Sequence, residues 1–123
     1  MKKLLWPLEK KADKLWSECI RKIWKCEYCW KTEYLNAHHI FSRNNKSVRW
    51  ELSNWICLCS WHHTFSSTFS PHQTPVEFTR WIEAKRWKDY LDNLEKLAHL
   101  PLKVTREYLE EKIKYLKRYL EEY

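Results

Sequence analysis

The feature that most constrains the fold of this chain is a pair of short spacings typical of zinc ligands. Cys26-Glu-Tyr-Cys29 is a Cys-x-x-Cys pair, and Cys59-Ser-Trp-His62 repeats the same gap with histidine in the last place. Both ligands of such a gap can reach one ion from a tight turn, so the two pairs predict a tetrahedral Cys3His zinc site. The ion would fasten both ends of the intervening segment and would compensate for the small core that 123 residues can bury.

Two other interpretations of the cysteines stay open at the level of sequence. A redox-active Cys-x-x-Cys would be expected beside a βαβ unit, and the pattern around Cys26 does not indicate one. Cys57 and Cys59 could instead be small buried hydrophobic residues, an interpretation that suits Cys57 best. The chain has five cysteines, and an odd number in a chain expected to be intracellular favours metal over disulfides.

Hydrophobic periodicity predicts an α+β fold. Apolar residues at spacings of three and four indicate helices over about 8–24 and about 104–121. The runs EYLNAHHI and NWICLC predict two strands joined by the polar loop SRNNKSVRWELS. Thr74, Pro75 and Glu77 predict a helix start with a capping box, and the helical pattern then continues to Leu97 before Pro101 interrupts it.

Charge and composition favour an anionic partner. Lys and Arg number 23 against 16 Asp and Glu, which leaves a formal charge of +7 and makes nucleic acid the first candidate. Lys and Glu alternate in the last third, so an ordinary solvated surface also explains part of this balance. The N-terminal stretch does not resemble a signal peptide, and no apolar segment is long enough to span a bilayer, so an intracellular protein without a membrane partner is expected. The absence of glycine and the abundance of Lys, Glu, Trp and Tyr are compatible with a thermophilic host.

Two doubled histidines bracket the predicted hairpin. If zinc takes His62, its neighbour His63 is free for another task, and the hairpin can bring His38-His39 close to it. Adjacent residues on a strand point to opposite faces, so one histidine of a pair can bind a metal while the other acts differently. A general base beside a Lewis acid is suited to hydrolysis.

The combination of AHHI, Asn54 and LCSWHH resembles the HNH signature of the ββα-metal, or His-Me finger, endonucleases. The resemblance covers about residues 15–90 and extends to small stand-alone HNH proteins of phages and archaeal viruses. It implies a ββα-metal core with structural zinc in an HNH domain of residues 1–100 that includes the N-terminal helix. Residues 101–123 would then form a C-terminal helical extension, whose Tyr and Leu stripe suits either packing against the domain or a homodimer.

The resemblance also implies roles for individual residues. His39 would be the general base that activates water, and Asn54 would orient its imidazole by a hydrogen bond across the hairpin. His38, His63 and His72 would hold one catalytic divalent cation such as Mg or Mn, with His72 displaced by the insert TFSSTFSP. Trp30 departs from the pattern, because many zinc knuckles have glycine just after the second cysteine, where a positive φ is common.

The expected function is therefore a metal-dependent HNH endonuclease that hydrolyses phosphodiester bonds in duplex or branched DNA. Arg43, Lys46 and Arg49 would contact flanking phosphates, unless they simply form a solvated loop. Trp50, Trp55 and Trp61 are expected in the core rather than stacked on bases. The alternative function is a non-catalytic, zinc-stabilised DNA-binding module. A zinc-stabilised protein adaptor would explain the cysteines but would leave the remaining histidines without a task.

Overall fold

The structure, a computed structural model, describes residues 4–122 and confirms an α+β fold with one antiparallel hairpin. No helix in this range has the length and apolar composition that a bilayer crossing requires. In chain order the elements of the described range are helix α1 (Trp6–Arg21), strand β1 (Leu35–His38), strand β2 (Ile56–Cys59), a π-helical turn (Trp61–Phe65), and helices α2 (Pro75–Lys85), α3 (Tyr90–His99) and α4 (Arg106–Glu122).

The hairpin lies between two groups of helices. Leu35 of β1 pairs with Cys59 of β2, and His38 pairs with Ile56. All four residues of β2 are buried, because alternate side chains enter cores on opposite faces. Ile56 and Leu58 pack with residues of α2 and α3, whereas Cys57 packs with residues of α1 and α4. Cys57 is therefore a small buried residue of the core, the interpretation that suited it best at the level of sequence.

Helix α4 lies against α1. Its buried residues Leu109 and Ile113 share a core cluster with Ala12 and Trp50, and the next turn contributes Leu116 to the cluster of Trp16. The apolar stripe of residues 106–122 is thus used within the chain. A homodimer through this helix stays a prediction, and it would have to use the other faces of α4.

Several element boundaries differ from the sequence prediction for identifiable reasons. Helix α2 begins at Pro75 with Thr74 as N-cap, but the predicted capping box is wrong, since the Thr74 hydroxyl bonds to the backbone of Ser70 instead. The single helical pattern running to Leu97 divides into α2 and α3, because Arg86 is extended with ψ 167° and Asp89, directly before α3, is left-handed with φ 70°.

The three tryptophans that were expected in the core, Trp50, Trp55 and Trp61, differ in burial. Trp50 is fully buried, as predicted, and Trp55 is half-buried against the guanidinium of Arg86. The prediction for Trp61 is wrong, because this side chain is exposed on the π-helical turn.

Candidate metal centres and active site

Cys26, Cys29, Cys59 and His62 form one compact cluster. Their ligand atoms all lie within 4.8 Å of one another. The sulfurs of Cys29 and Cys59 are 3.7 Å apart, and the Cys59 sulfur is 3.4 Å from Nδ1 of His62. Sulfurs bound at about 2.3 Å to one tetrahedral zinc would be about 3.8 Å apart. The cluster could therefore hold a metal ion such as zinc.

The first half of this cluster is a tight turn closed by backbone hydrogen bonds. The N–H of Trp30 donates to the carbonyl of Cys26 at 2.8 Å, and the N–H of Cys26 donates to the carbonyl of Lys31 at 2.7 Å. Trp30 has φ 71°, the left-handed conformation for which glycine is usual. Tryptophan thus occupies the glycine position without moving Cys26 or Cys29 away from the cluster.

The thiols of the cluster lie in different electrostatic environments. Burial raises the pKa of Cys29 to about 11. For Cys26, burial opposes ionisation, but hydrogen bonds from the backbone of Cys59, Cys29 and Tyr28 outweigh it and lower the pKa. Cys57, outside the cluster, has its pKa raised to about 12 by burial and by the nearby carboxylate of Glu27. Cys57 is thus suited to remain a neutral thiol in the core.

A second cluster consists of three histidines. Nδ1 of His38 lies 3.1 Å from Nε2 of His63, and Nε2 of His72 lies 3.3 Å from the same atom. Imidazole nitrogens bound to one ion at about 2.0–2.1 Å would be about 2.9–3.4 Å apart for angles between octahedral and tetrahedral. The three side chains therefore have the spacing of ligands to one cation, although no acidic side chain of the described residues belongs to the cluster.

Two of these imidazoles are held in the neutral form. Burial, with a smaller contribution from the charges of His63, His72 and His39, lowers the pKa of His38 to about 3. Burial and the charge of His72 lower the pKa of His63 to about 4. Neutral imidazole is the form that binds metals, so at neutral pH these nitrogens carry the lone pairs that a cation needs.

The π-helical turn sends two consecutive histidines into different clusters. Its wide turn is closed by the N–H of Ser66, which donates to the carbonyl of Trp61 at 2.7 Å. His62 reaches Cys59, whereas His63 reaches His38. Single π-helical turns occur frequently at functional sites, and here the turn assigns one histidine to each cluster.

The segment between the π-helical turn and α2 delivers His72. Buried Ser66 and Ser70 bind its backbone: the Ser66 hydroxyl accepts from the N–H of Phe69 at 3.1 Å, and the Ser70 hydroxyl accepts from the N–H of Gln73 at 2.9 Å. The ring of Phe69 stacks on Tyr28 of the cysteine turn at 3.8 Å. The insert TFSSTFSP is thus an ordered support that places His72 beside His63.

His39 follows the last residue of β1 and contacts different partners from His38, and its orientation is fixed on two sides. Its ring stacks on Trp16 with centroids 3.8 Å apart. Nε2 lies 2.8 Å from the carbonyl oxygen of Arg49, and because a carbonyl only accepts, Nε2 carries the proton. Nδ1 is then the ring nitrogen with a free lone pair. Burial lowers the pKa of His39, which keeps this lone pair available at neutral pH.

Asn54 acts on the loop and not on the imidazole, which corrects the expected contact. Its side chain is fully buried and makes no hydrogen bond to His39. It accepts from the N–H of Phe41 at 2.7 Å and donates to the carbonyls of Phe41 and Val48 at 3.0 and 3.1 Å. Asn54 therefore holds together the two ends of the segment between the histidine pair and Arg49.

The general-base candidate and the histidine cluster line one open depression of about 480 Å³. Its lining residues are Ala37, His38, His39, Ile40, Ser42, Arg43, His63 and His72. The predicted general base and the predicted metal ligands thus line the same accessible surface.

The three loop cations form ion pairs with α1. Arg49 binds the Asp13 carboxylate through two nitrogens at 2.6 and 3.0 Å, and its side chain is only 14% exposed. Arg43 reaches the same carboxylate at 2.8 Å but is 57% exposed, and Lys46 pairs with Glu9 at 2.9 Å. Arg43 and Lys46 thus keep much of their side chains exposed, whereas Arg49 is largely enclosed and fixes the loop.

Sequence reasoning missed Asp13 and Trp16 as supports of the site. Asp13 also accepts from the indole N–H of Trp50 at 2.9 Å, so one carboxylate gathers Arg43, Arg49 and Trp50. The periodicity of α1 placed Trp16 on the apolar face but carried no information about its partner His39.

Comparisons with known proteins found no matching protein-family model, curated protein or solved structure. The function is therefore argued from the arrangement of the side chains.

Proposed function

We propose that this chain is a metal-dependent DNA endonuclease of the HNH, or ββα-metal, type. The observation that carries the proposal is the shared depression, in which an oriented neutral histidine, His39, lies beside the three-imidazole cluster. Phosphodiester hydrolysis needs a base for water and a positive charge on the phosphate, and these two groups would supply both.

The residues of the chain have separable tasks in this reaction. A divalent cation held by His38, His63 and His72 would polarise the scissile phosphate and stabilise its developing charge. Nδ1 of His39 would accept a proton from the attacking water. The Arg49 carbonyl and the Trp16 ring would keep that nitrogen directed at the depression, because they fix the tautomer and the plane of the imidazole.

The donor set favours a transition-metal ion over magnesium. Mg²⁺ prefers oxygen ligands and keeps several waters, whereas imidazole suits Zn²⁺, Ni²⁺ and similar ions. We therefore expect Co²⁺ or Ni²⁺ to support more activity than Mg²⁺ at equal concentration.

The Cys3His cluster would hold zinc with a structural role. The ion would join the turn at Cys26 and Cys29 to the end of β2 and the π-helical turn, the region from which His63 extends. A structural zinc would thus fix the position of one ligand of the catalytic cation.

The proposal is tested by nicking of supercoiled plasmid with a panel of divalent ions. Cleavage that requires an added ion, and that falls on the order of 10²–10⁴-fold in the His39→Ala variant, would support it. Absence of cleavage with every ion, together with retained DNA binding, would instead indicate the non-catalytic DNA-binding module.

A further inference from the structure

Three exposed aromatic residues next to the Cys3His cluster adopt backbone conformations that normally require glycine. Trp24, Trp30 and Tyr34 have φ values of 55°, 71° and 56°. Among the described residues only Asp89 shares this conformation, and aspartate tolerates it far better than bulky residues do. The sequence thus places large rings at three costly backbone positions within one short segment.

Burial in the core does not offset the backbone strain at these three positions. Trp24 and Trp30 are each 66% exposed, and Tyr34 is 72% exposed. Glycine would relieve the strain at each position, and the fold would lose little packing. Strained conformations that the core does not use occur mainly at functional sites, so these rings are expected to contact something outside the chain.

Two lysines of the same segment lie over two of the three rings. The ammonium of Lys25, which follows Trp24, lies 3.6 Å from the ring centroid of Trp30. The ammonium of Lys31, which follows Trp30, lies 5.5 Å from the ring centroid of Tyr34. We call Trp24, Lys25, Trp30, Lys31 and Tyr34 the knuckle aromatic surface.

The two acidic residues of the same segment differ in how much they offset the positive charge of this surface. Glu27 is turned inward, where it pairs with Arg86 and accepts the backbone N–H of Cys57. Glu33 is exposed and is the acid that would face a ligand.

We propose that the knuckle aromatic surface binds unpaired nucleotides of single-stranded DNA, with bases stacked on its rings and phosphates near its lysines. Exposed aromatics that alternate with cations are the usual platform for single strands, because every base has a face that can stack. Lysine is depleted at protein interfaces, so its repeated pairing with the rings favours nucleic acid over a protein partner. The net charge of +7 adds attraction for any polyanion.

This function goes beyond the proposed nuclease, because stacking requires neither His39 nor a catalytic cation. The test therefore measures binding alone. Anisotropy of a fluorescein-labelled 20-nucleotide oligo(dT) and of a fully paired duplex would be followed at low salt without added divalent ions. The binding assay tests the single-strand proposal, whereas plasmid nicking tests the nuclease assignment. Either one can therefore fail without the other.

Glycine substitutions give the decisive variants. Trp24→Gly, Trp30→Gly and Tyr34→Gly should each weaken oligo(dT) binding by about tenfold, as loss of one stacked base predicts. Their melting temperatures should stay equal or rise, because glycine suits a positive φ. Matched controls are Trp87→Ala and Tyr115→Ala, since these aromatics are also exposed and Tyr115 also lies near a lysine. The controls should bind oligo(dT) as the unaltered chain does.

Two results would overturn the proposal. One is oligo(dT) binding that is unchanged in the triple glycine variant while that variant remains folded. The other is loss of self-association in the triple variant at unchanged oligo(dT) affinity, which would assign the surface to a second copy of the chain. If Trp30→Gly lowers stability, Trp30→Asn keeps the left-handed conformation and allows the same comparison.

Discussion

His62 and His63 are consecutive in the chain, yet each side chain belongs to a different metal-ligand cluster. Nδ1 of His62 lies 3.4 Å from the sulfur of Cys59, while Nε2 of His63 lies 3.1 Å from Nδ1 of His38. Both residues lie on the π-helical turn that follows β2, and neighbours on a helical turn leave the backbone in different directions. One short element thus links the Cys3His cluster, which could hold structural zinc, with the three-histidine cluster, which we propose holds the catalytic cation.

Asn54 is predicted to matter for stability as well as for rate. Asn54→Ala would leave the partly buried N–H of Phe41 and the buried carbonyl of Val48 without their partner, and each unsatisfied buried group costs about 1–3 kcal/mol. Chemical denaturation should therefore show a loss of about 2–5 kcal/mol. The control Asn44→Ala alters an exposed asparagine of the same loop and should change stability very little. Equal stability of both variants would contradict the structural role of Asn54.

Asp13 is predicted to give the fold a stability contribution that disappears in acid. Burial favours its neutral form, but the hydrogen bonds and charges of Arg49 and Arg43, with the indole of Trp50, lower its pKa below that of an ordinary aspartate. A depressed carboxyl pKa stabilises the folded state above the unfolded pKa, and the contribution is lost as the pH falls through the folded value.

The corresponding experiment compares melting temperatures of the unaltered chain and Asp13→Asn between pH 7 and pH 2.5. The difference should be largest at neutral pH and should shrink below about pH 4. Asp92→Asn, an exposed residue of α3, serves as the control and should show a small difference throughout. A difference for Asp13→Asn that stays constant down to pH 2.5 would argue against the ion pairs.

The loop cations are predicted to divide into one structural residue and two that contact phosphate. Arg43→Ala and Lys46→Ala should each reduce the dependence of log Kd on log salt by about one unit for a non-cleavable duplex. Arg49→Ala should mainly lower the melting temperature, because Arg49 is largely enclosed by its bidentate pair with Asp13. An unchanged salt slope for Arg43→Ala would place that side chain outside the DNA contact.

The sequence predicted the clusters better than the contacts that support them. Cys26, Cys29, Cys59 and His62 could be grouped because their spacing is imposed by the geometry of a metal ion, and the hairpin followed from two apolar runs. The support of His39 by Trp16 and by the carbonyl of Arg49 could not be predicted, since backbone carbonyls carry no sequence signal and residue 16 is distant in the chain. The left-handed conformations of Trp24 and Tyr34 could not be predicted either, because bulky aromatic residues usually indicate extended or helical backbone.

The supporting contacts of the insert TFSSTFSP before α2 could not be predicted from the sequence either. The sequence indicated an insert that displaces His72, but not that the hydroxyls of Ser66 and Ser70 would bind the backbone and present His72 to His63. Short-range hydroxyl contacts depend on the exact path of the chain, which composition does not determine.

The central claim, that neighbouring histidines serve two different metals, is tested by zinc stoichiometry and plasmid nicking on His62→Cys and His63→Ala. His62→Cys replaces one zinc ligand by another that tetrahedral sites accept, so one tightly held zinc and much of the cleavage should survive. His63→Ala should keep that zinc and the melting temperature but abolish cleavage, because the phosphate-binding cation loses a ligand. Loss of the tight zinc in His63→Ala, with zinc retained but cleavage lost in His62→Cys, would contradict the assignment and exchange the two roles.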